Sequence, residues 1–576
     1  MALQEIKQIQ KYLKDNNIDA YLAFISDDHG SEYVSDRFKT IAFLANFTGS
    51  NGLLLIDKNS SYLWTDGRYF LQASEQLKET NTKLMKMGID SPIDSFILEN
   101  YQSLMFDFTV ASGAFVNRVK SIKLIDDSFL IDSLWENRPA YSNKKIFLLP
   151  SSICPVSAKK KCQKAIKSVK SNKDFAILIT DLADIAYMTN ARGNDIKCNP
   201  TFFAYMLLAK HKNKETYNLY INTKKLNKET KQYFKDQNIN IKSYDKIYND
   251  VSKLKCMVCF DSRKTNYKLF SLMEIKKDMM LWPTKAKAIK NKIEIKETKK
   301  AHVKDAIAMI KFIYYIKNKV GKTYIDELSA SDYLEKLRRK QGSFELSFNT
   351  ICGYNKHGAI IHYGATKETN IPIKPEGLLL VDSGGQYYYG TTDITRTIVV
   401  GPITDDMKYH FTLVLKAHIA LASAIYDKTT TDYDLDILTR KVIKDANLDY
   451  NHGTGHGIGF VLNVHEGPQS ISYNPNRKRV VIKPGMITSD EPGLYFENQY
   501  GIRHENEILC VKKDKGLYGF ETITYVPFDL QGIDVSLLDE KEKDWLNNYH
   551  QMIYQKISPF LTKKEKKFLK ESTKLI

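Results

Sequence analysis

The sequence has no run of 18 uncharged apolar residues, so no helical membrane span is predicted. Its first residues, MALQEIKQIQKYLKDNN, follow a charged helical pattern and lack the apolar stretch of a secretory signal. The last, KESTKLI, carry no lipidation or retention signal. Cysteine is scarce, 7 in 576 residues, and the odd number argues against a disulfide framework. Cys256 and Cys259 form a CxxC inside the apolar run LKCMVCFD, with no second pair at zinc-site spacing, so they read as buried strand residues. Arginine is scarce too. It supplies 13 of the 85 basic residues, whereas phosphate and base-edge recognition lean on its planar fork. The net charge of +18 therefore reads as a lysine-rich exterior, spread over helices near 159–173 and 285–304 and the tail at 563–567. A cytoplasmic protein with no nucleic-acid partner and no membrane association is expected.

What the chain does have is apolar material for several cores, 43% hydrophobic and 11% aromatic. At about 150–200 residues per domain its length predicts three or four domains. A weak repeat runs through the first half. DAYLAFIS (19–26) is a short apolar strand after a helix, followed by FLANFTGSNGLLLI and SYLWTDGRYF. DFAILIT (174–180) again follows a lysine-rich helix and leads into IAYMTNARGND, FFAYMLLA and YNLYINT. Two similar α/β domains are predicted, 1–143 and 144–297, with the turn-rich WENRPAYSN (135–143) between them. A third domain, 298–576, opens on a long helix, with Val303, Ile307, Ile310 and Tyr314 on one stripe and Gly321 placed as a C-cap. The fold class is thus mixed, α/β and α+β. Ten of the 12 histidines lie at or after His302, so the chemistry is expected there.

Three segments carry it. GLLLVDSGGQYYYGTTDITRTIVV (377–400) reads as a β-hairpin with Asp382 ending one arm and Asp393 beginning the other. Two carboxylates so placed can converge, although each alone is an ordinary turn cap. NHGTGHGIGFVLNVHEGP (451–468) holds His452, His456 and His465 among glycines that admit close backbone approach, so the three read as ligands or proton carriers. A dinucleotide fingerprint fails there, because its third glycine would fall on Ile458, and HExxH is absent. TSDEPGLYFENQYGIRHENEIL (488–509) adds Glu491 and Glu505, and strand alternation puts Arg503 beside Glu505 and His504 on the opposite face. Four buried carboxylates gathered without counter-charge would cost many kcal/mol or force protonation. Two divalent cations would neutralise them. An oxygen-rich set with one imidazole suits Mn²⁺, with Co²⁺, Fe²⁺ or Zn²⁺ as alternatives.

Together with GAIIHY (358–363), LWTDGRYFLQA (63–73), LMKMG (84–88), KKAHVKDA (299–306) and WLNNYH (545–550), these segments resemble the pita-bread-fold dinuclear metallopeptidases. Within that group the chain is similar over its whole length to the cytosolic Xaa-Pro aminopeptidases, or aminopeptidase P. The resemblance implies two creatinase-like N-terminal α/β domains, a C-terminal pita-bread catalytic domain and a homodimer. It implies two divalent metal ions held by Asp382, Asp393, His456, Glu491 and Glu505. The implied reaction removes the first residue from peptides with proline at position two, through a hydroxide bridging the two metals. Catalytic roles fall to His362, His452, His465 and Glu491, and substrate contacts to Arg68, His362 and His465. Arg68 would then come from the first domain, of the same or a partner subunit.

Two departures bear on substrate preference. Lys356 and His357 stand in GYNKHGAIIHY where smaller or neutral residues are expected, and Glu507 makes the stretch after Glu505 more acidic. His357 reads as a loop residue rather than a ligand. A prolidase-type dipeptidase on the same catalytic fold stays open as an alternative, as does a metal-free binding module. Proteins of the latter kind usually lose ligands, and all five are present here.

Overall fold

The computed structural model describes residues 2–127, 129–475 and 477–576. They form two compact units, Met1–Lys285 and Ala286–Ile576.

In the first unit, helix α1 (Ala2–Asp15) leads into strands β1 (Ala20–Phe24), β2 (Leu53–Asp57), β3 (Ser61–Thr65), β4 (Thr82–Lys86), β5 (Ser103–Phe106) and β6 (Lys123–Asp126). Their order is β4-β3-β2-β1-β5-β6, antiparallel from β1 to β3 and parallel elsewhere. After α2 (Ala158–Ser168) come β7 (Phe175–Ile179), β8 (Ala204–His211), β9 (Lys214–Ile221), β10 (Ile239–Lys242), β11 (Met257–Phe260) and β12 (Ile275–Asp278). Their order, β10-β9-β8-β7-β11-β12, repeats the first sheet in both sequence and direction. The weak sequence repeat is thus a repeat of topology. The central strands AYLAF and FAILI are buried at every position, as strands covered on both faces must be. The edge strand IKKD is exposed throughout, and its lysines discourage pairing with another chain. Cys259 is buried inside β11, Cys256 stands just before it, and each of the seven cysteines is a thiol outside any disulfide.

The second unit begins with helices α3 (Lys292–Lys319) and α4 (Glu327–Lys340). Asn291 caps α3 by accepting from Ile293 N and Glu294 N, and Glu294 returns the bond in a capping box. Past its end Gly321 takes φ +78°, the left-handed value that only glycine adopts freely. The helix runs unbroken through residue 297.

Short strand β13 (Glu345–Leu346) and β14 (Ile351–Tyr354) precede β15 (Leu378–Ser383), β16 (Gly385–Tyr387), β17 (Gly390–Thr391) and β18 (Ile394–Val399). β15 pairs antiparallel with β18, Asp382 opposite Thr395, while β16 and β17 fold the connection into a smaller hairpin that joins β13. Helices α5 (Asp405–Ala422) and α6 (Asp432–Lys444) follow. Next come β19 (Ile425–Tyr426, between those helices), β20 (Gly455–Gly457), β21 (Glu466–Ile471), β22 (Ile487–Asp490), β23 (Gly493–Phe496), β24 (Tyr500–Arg503), β25 (Asn506–Lys512) and β26 (Tyr518–Thr522). The larger sheet is ordered β19-β26-β25-β22-β20-β21, and β23 pairs with β24. Buried Ile310 and Ile313 of α3, Val414 of α5 and Ile553 of α7 (Glu540–Ile557) pack with Leu379, Val381 and Ile398 in one core. Each such side chain contributes roughly 1.5–3 kcal/mol, which fixes the strand ends that carry the site.

The expected lysine exterior has four exceptions. Lys161, Lys225, Lys287 and Lys290 are buried. Lys161 Nζ donates to Asn190 Oδ1 at 2.6 Å and to Tyr187 O at 2.7 Å, and Lys225 pairs with Asp195 at 2.6 Å. An ammonium leaves water only where carbonyls and carboxylates replace its hydration, and helical periodicity does not display those partners.

Candidate metal centre

Each of the three segments delivers its acid or imidazole from a strand or from the turn beside one. Asp382 is the penultimate residue of β15, Asp393 stands one residue before β18, His456 is the middle of β20, Glu491 follows β22 and Glu505 lies between β24 and β25. Donor atoms of Asp393, His456 and Glu505 lie within 4.8 Å of one another. His456 Nε2 is 3.5 Å from Asp393 Oδ2 and 3.4 Å from Glu491 Oε1. Its Nδ1 donates to Gly457 O at 3.1 Å, which leaves the Nε2 lone pair facing those two oxygens. Facing carboxylate oxygens, that nitrogen needs a proton or a metal cation between it and them.

The carboxylates are poorly compensated. Asp393 and Glu505 are pushed well above the usual range by burial, then by repulsion from neighbouring acids, Asp382 foremost for Asp393 and Asp393 foremost for Glu505. Burial likewise pushes Glu491 up to about 7, with Asp382 adding to it and Arg503 and His465 opposing. Oδ1 of Asp382 and Oδ1 of Asp393 are buried without a hydrogen-bond partner. Thr395 Oγ1 donates to Glu505 Oε2 at 2.7 Å, and Ser489 Oγ to Glu491 Oε1 at 3.1 Å. The donor set, its orphaned oxygens and its excess negative charge fit hard divalent cations.

One cation of the chain itself enters the cluster. Arg503 Nη2 donates to Asp382 Oδ2 at 2.7 Å and Nη1 to the Tyr495 hydroxyl at 2.7 Å. Burial works against the Arg503 charge, but Tyr495, Asp382 and Glu491 outweigh it and hold the guanidinium ionised. Burial pushes Tyr495 up to about 12, so its hydroxyl stays protonated and donates onward to His452 Nε2 at 2.8 Å. His452 Nδ1 in turn donates to Gly453 O at 2.8 Å. His452 is therefore tied to Asp382 through a directed chain of hydrogen bonds.

His465 lies edge-to-face with His456, ring centroids 4.2 Å apart. His362 is half-buried on a loop whose Ile361 carbonyl accepts from Arg503 Nη2 at 3.3 Å. That loop crosses β24 at backbone contact: a Cβ on Gly501 would fall 1.8 Å from Gly358 O. His504 faces away from the acids, as alternation predicts, with Nε2 near Phe411 O at 3.2 Å and its ring against Phe411 and Phe528. Arg68 belongs to the first unit, where Asp66 holds its Nε at 2.9 Å and Nη2 at 2.8 Å and Glu32 meets Nη1 at 3.4 Å.

Residues 296–512 match the description "Metallopeptidase family M24". Residues 5–134 and 137–294 each match "Creatinase/Prolidase N-terminal domain", and 516–576 match "C-terminal region of peptidase_M24". A probable Xaa-Pro aminopeptidase P of Talaromyces marneffei is 35% identical over 609 residues, covering 99% of this chain and 92% of the relative. Aminopeptidase P1 of Arabidopsis thaliana is 33% identical over 96% of each chain. The crystal structure of X-prolyl aminopeptidase from Caenorhabditis elegans, a cytosolic enzyme with a di-nuclear active site, matches with TM-score 0.94 at 29% identity over 100% of both chains.

The chain belongs to the aminopeptidase P branch of metallopeptidase family M24. Its fold is accordingly two creatinase N-terminal domains followed by the pita-bread catalytic domain, and it is a peptidase.

Several residues around the site of this M24 peptidase escape a reading by motif. Glu507 Oε1 accepts from Asp393 N at 2.8 Å, and His302 of α3 lies 3.0 Å from its other oxygen. Glu327, at the start of α4 and fully buried, accepts from Tyr354 N at 2.8 Å, His357 Nδ1 at 2.9 Å and Tyr363 OH at 2.8 Å. His357 thus braces the His362 loop. Tyr495 and Arg503 carried a signal in the sequence only through Arg503's shared strand face with Glu505.

Proposed function

We propose that this M24 peptidase removes the N-terminal residue from peptides whose second residue is proline, using two divalent metal ions held by Asp382, Asp393, His456, Glu491 and Glu505. The observation that carries the reading is the His456 lone pair aimed at Asp393 and Glu491 amid orphaned, buried carboxylate oxygens. Bound there, the metals, Mn²⁺ by preference, would lower the pKa of a water bridging them and polarise the scissile carbonyl.

The side chains do the rest. Glu491 accepts the attacking water's proton at a carboxylate oxygen and passes it toward the leaving proline nitrogen. His465 donates to the oxyanion that develops on the carbonyl. His362 and His452 hold the substrate, the latter fixed by its hydrogen bond to Tyr495, and Arg68 is a further substrate contact. An X-Pro bond has no N–H and a fixed φ, so docking as an extended strand fails and dedicated side chains are needed. The same reading makes the protein cytosolic and dimeric.

Metal analysis of the purified protein combined with rates on Gly-Pro-Pro and Gly-Pro tests this. Metal-dependent cleavage of the tripeptide with little on the dipeptide is expected. Preference for Gly-Pro would make it a dipeptidase, and no cleavage of either in metal-loaded protein would overturn the reading.

A further inference from the structure

Lys290 lies six residues before the stretch that matches the catalytic family, 296–512, in a lysine-rich segment that reads as surface. Yet its side chain is 1% exposed. The residue is rigidly placed. Its backbone N donates to Gly485 O at 2.8 Å, and the next residue, Asn291, is locked into the capping box of α3.

From there Lys290 Nζ makes two bonds. It donates to Glu466 Oε1 at 2.7 Å and to the carbonyl of Ile458. Lys287 Nζ stands 3.5 Å from the other Glu466 oxygen, and Glu466 is 4% exposed. Ile458 and Glu466 are the two ends of the loop that carries His465. One ammonium therefore ties both ends of that loop to a helix cap. The loop's middle is held separately, by Gln386 Nε2 donating to Leu462 O at 2.8 Å and Gly459 N to Asn463 O at 3.0 Å. His465, adjacent to Glu466 and edge-to-face with His456, is thereby aimed without any contact from Lys290 itself.

We propose that Lys290 is a positioning residue for His465, acting through Glu466 and the Ile458 carbonyl, with Lys287 as the second cation on that carboxylate. A surface lysine of a basic protein would be replaceable; a lysine that closes a catalytic loop is not. The role rests on the aminopeptidase reading for its effect on rate, but the clamp itself is a property of the fold and has its own readout.

The test is Lys290→Gln in the full-length, metal-loaded protein, measured three ways. The kinetics on Gly-Pro-Pro are expected to show kcat lowered by about 10-fold or more, with KM changed far less. Amide hydrogen exchange by mass spectrometry is expected to speed up in peptides spanning 458–466 and to stay parental elsewhere in the second unit. Metal content is expected to stay parental. Parental exchange at 458–466 sinks the clamp, and so does uniformly faster exchange across the unit. A kcat within about twofold of the parent removes the positioning role. If Lys290→Gln does not fold, the neutral pair Lys290→Met with Glu466→Gln takes the same measurements, judged by the same outcomes. A parent inactive on every X-Pro peptide would fail the function reading, while the exchange comparison would still decide the clamp.

Discussion

Arg503 and Asp382 form a buried ion pair at 2.7 Å, 1% and 10% exposed at the side chain, inside a cluster dominated by acids. The guanidinium occupies one oxygen of Asp382 and leaves the other without a partner. It fixes the carboxylate's orientation while the fork's other arm fixes Tyr495. Lysine has no such fork. Arg503→Lys is therefore expected to lower kcat/KM on an X-Pro tripeptide by about 10–100-fold. Arg503→Met, which leaves Asp382 buried and unpaired, is expected to cost about 3–5 kcal/mol in the metal-free protein. Steady-state rates and thermal melting with chelator check both.

Asp393→Asn removes one of the repelling charges. With chelator present the variant is expected to melt higher than the parent, because a buried carboxylate under repulsion becomes neutral. With metal present the order is expected to reverse and turnover to vanish. A variant that turns over X-Pro substrate at the parental rate would remove Asp393 from the metal set.

The pH dependence follows from the same shifts. Glu491, Asp393 and Glu505 are raised in the folded, metal-free protein, so their contribution to its stability is present at low pH and is lost as pH rises through their folded values, about 7 for Glu491. Cations bind the ionised forms. The melting-temperature gain from metal is therefore expected to grow between pH 5 and about 7. Activity is expected to fall on the acid side, since the Glu491 base must be ionised, with an acid limb below about 7 because bound cations lower its pKa. Melting with and without metal, alongside a rate profile, checks the sign, and a profile flat from about pH 5 to 9 would count against Glu491 and the histidines.

Glu327 is an anchor with three short donors and no exposure. Glu327→Gln keeps its shape and weakens charge-assisted bonds worth about 1.5–3 kcal/mol each. The expected outcome is a lower melting temperature together with a raised KM, since the His362 loop loses its brace. His357→Asn, which retains a donor, is expected to recover part of the KM effect.

Much of the fold was legible because it is periodic. Continuous apolar strands and lysine-rich helices recur in both N-terminal sheets, and the stripe of Val303, Ile307, Ile310 and Tyr314 lies on the helix it predicts. The four acids and one imidazole were legible because each lies in or beside a strand, in a segment punctuated by glycine or proline. The bracing residues were not. Lys290 with Glu466, Glu327 with His357, and His302 with Glu507 are paired across 176, 30 and 205 positions, where no local pattern records the partner. Net charge could not flag the four buried lysines for the same reason, since counting lysines says nothing about which ones distant polar groups have drawn inside.

The capping box at Asn291 has a consequence for dissecting the molecule. A catalytic half expressed from residue 296, where its family likeness begins, would start downstream of Asn291, Lys290 and Lys287. It would keep every acid of the centre and yet have a frayed first turn on its longest helix and two missing cations beneath a loop histidine. The compact catalytic unit begins earlier than its signature does.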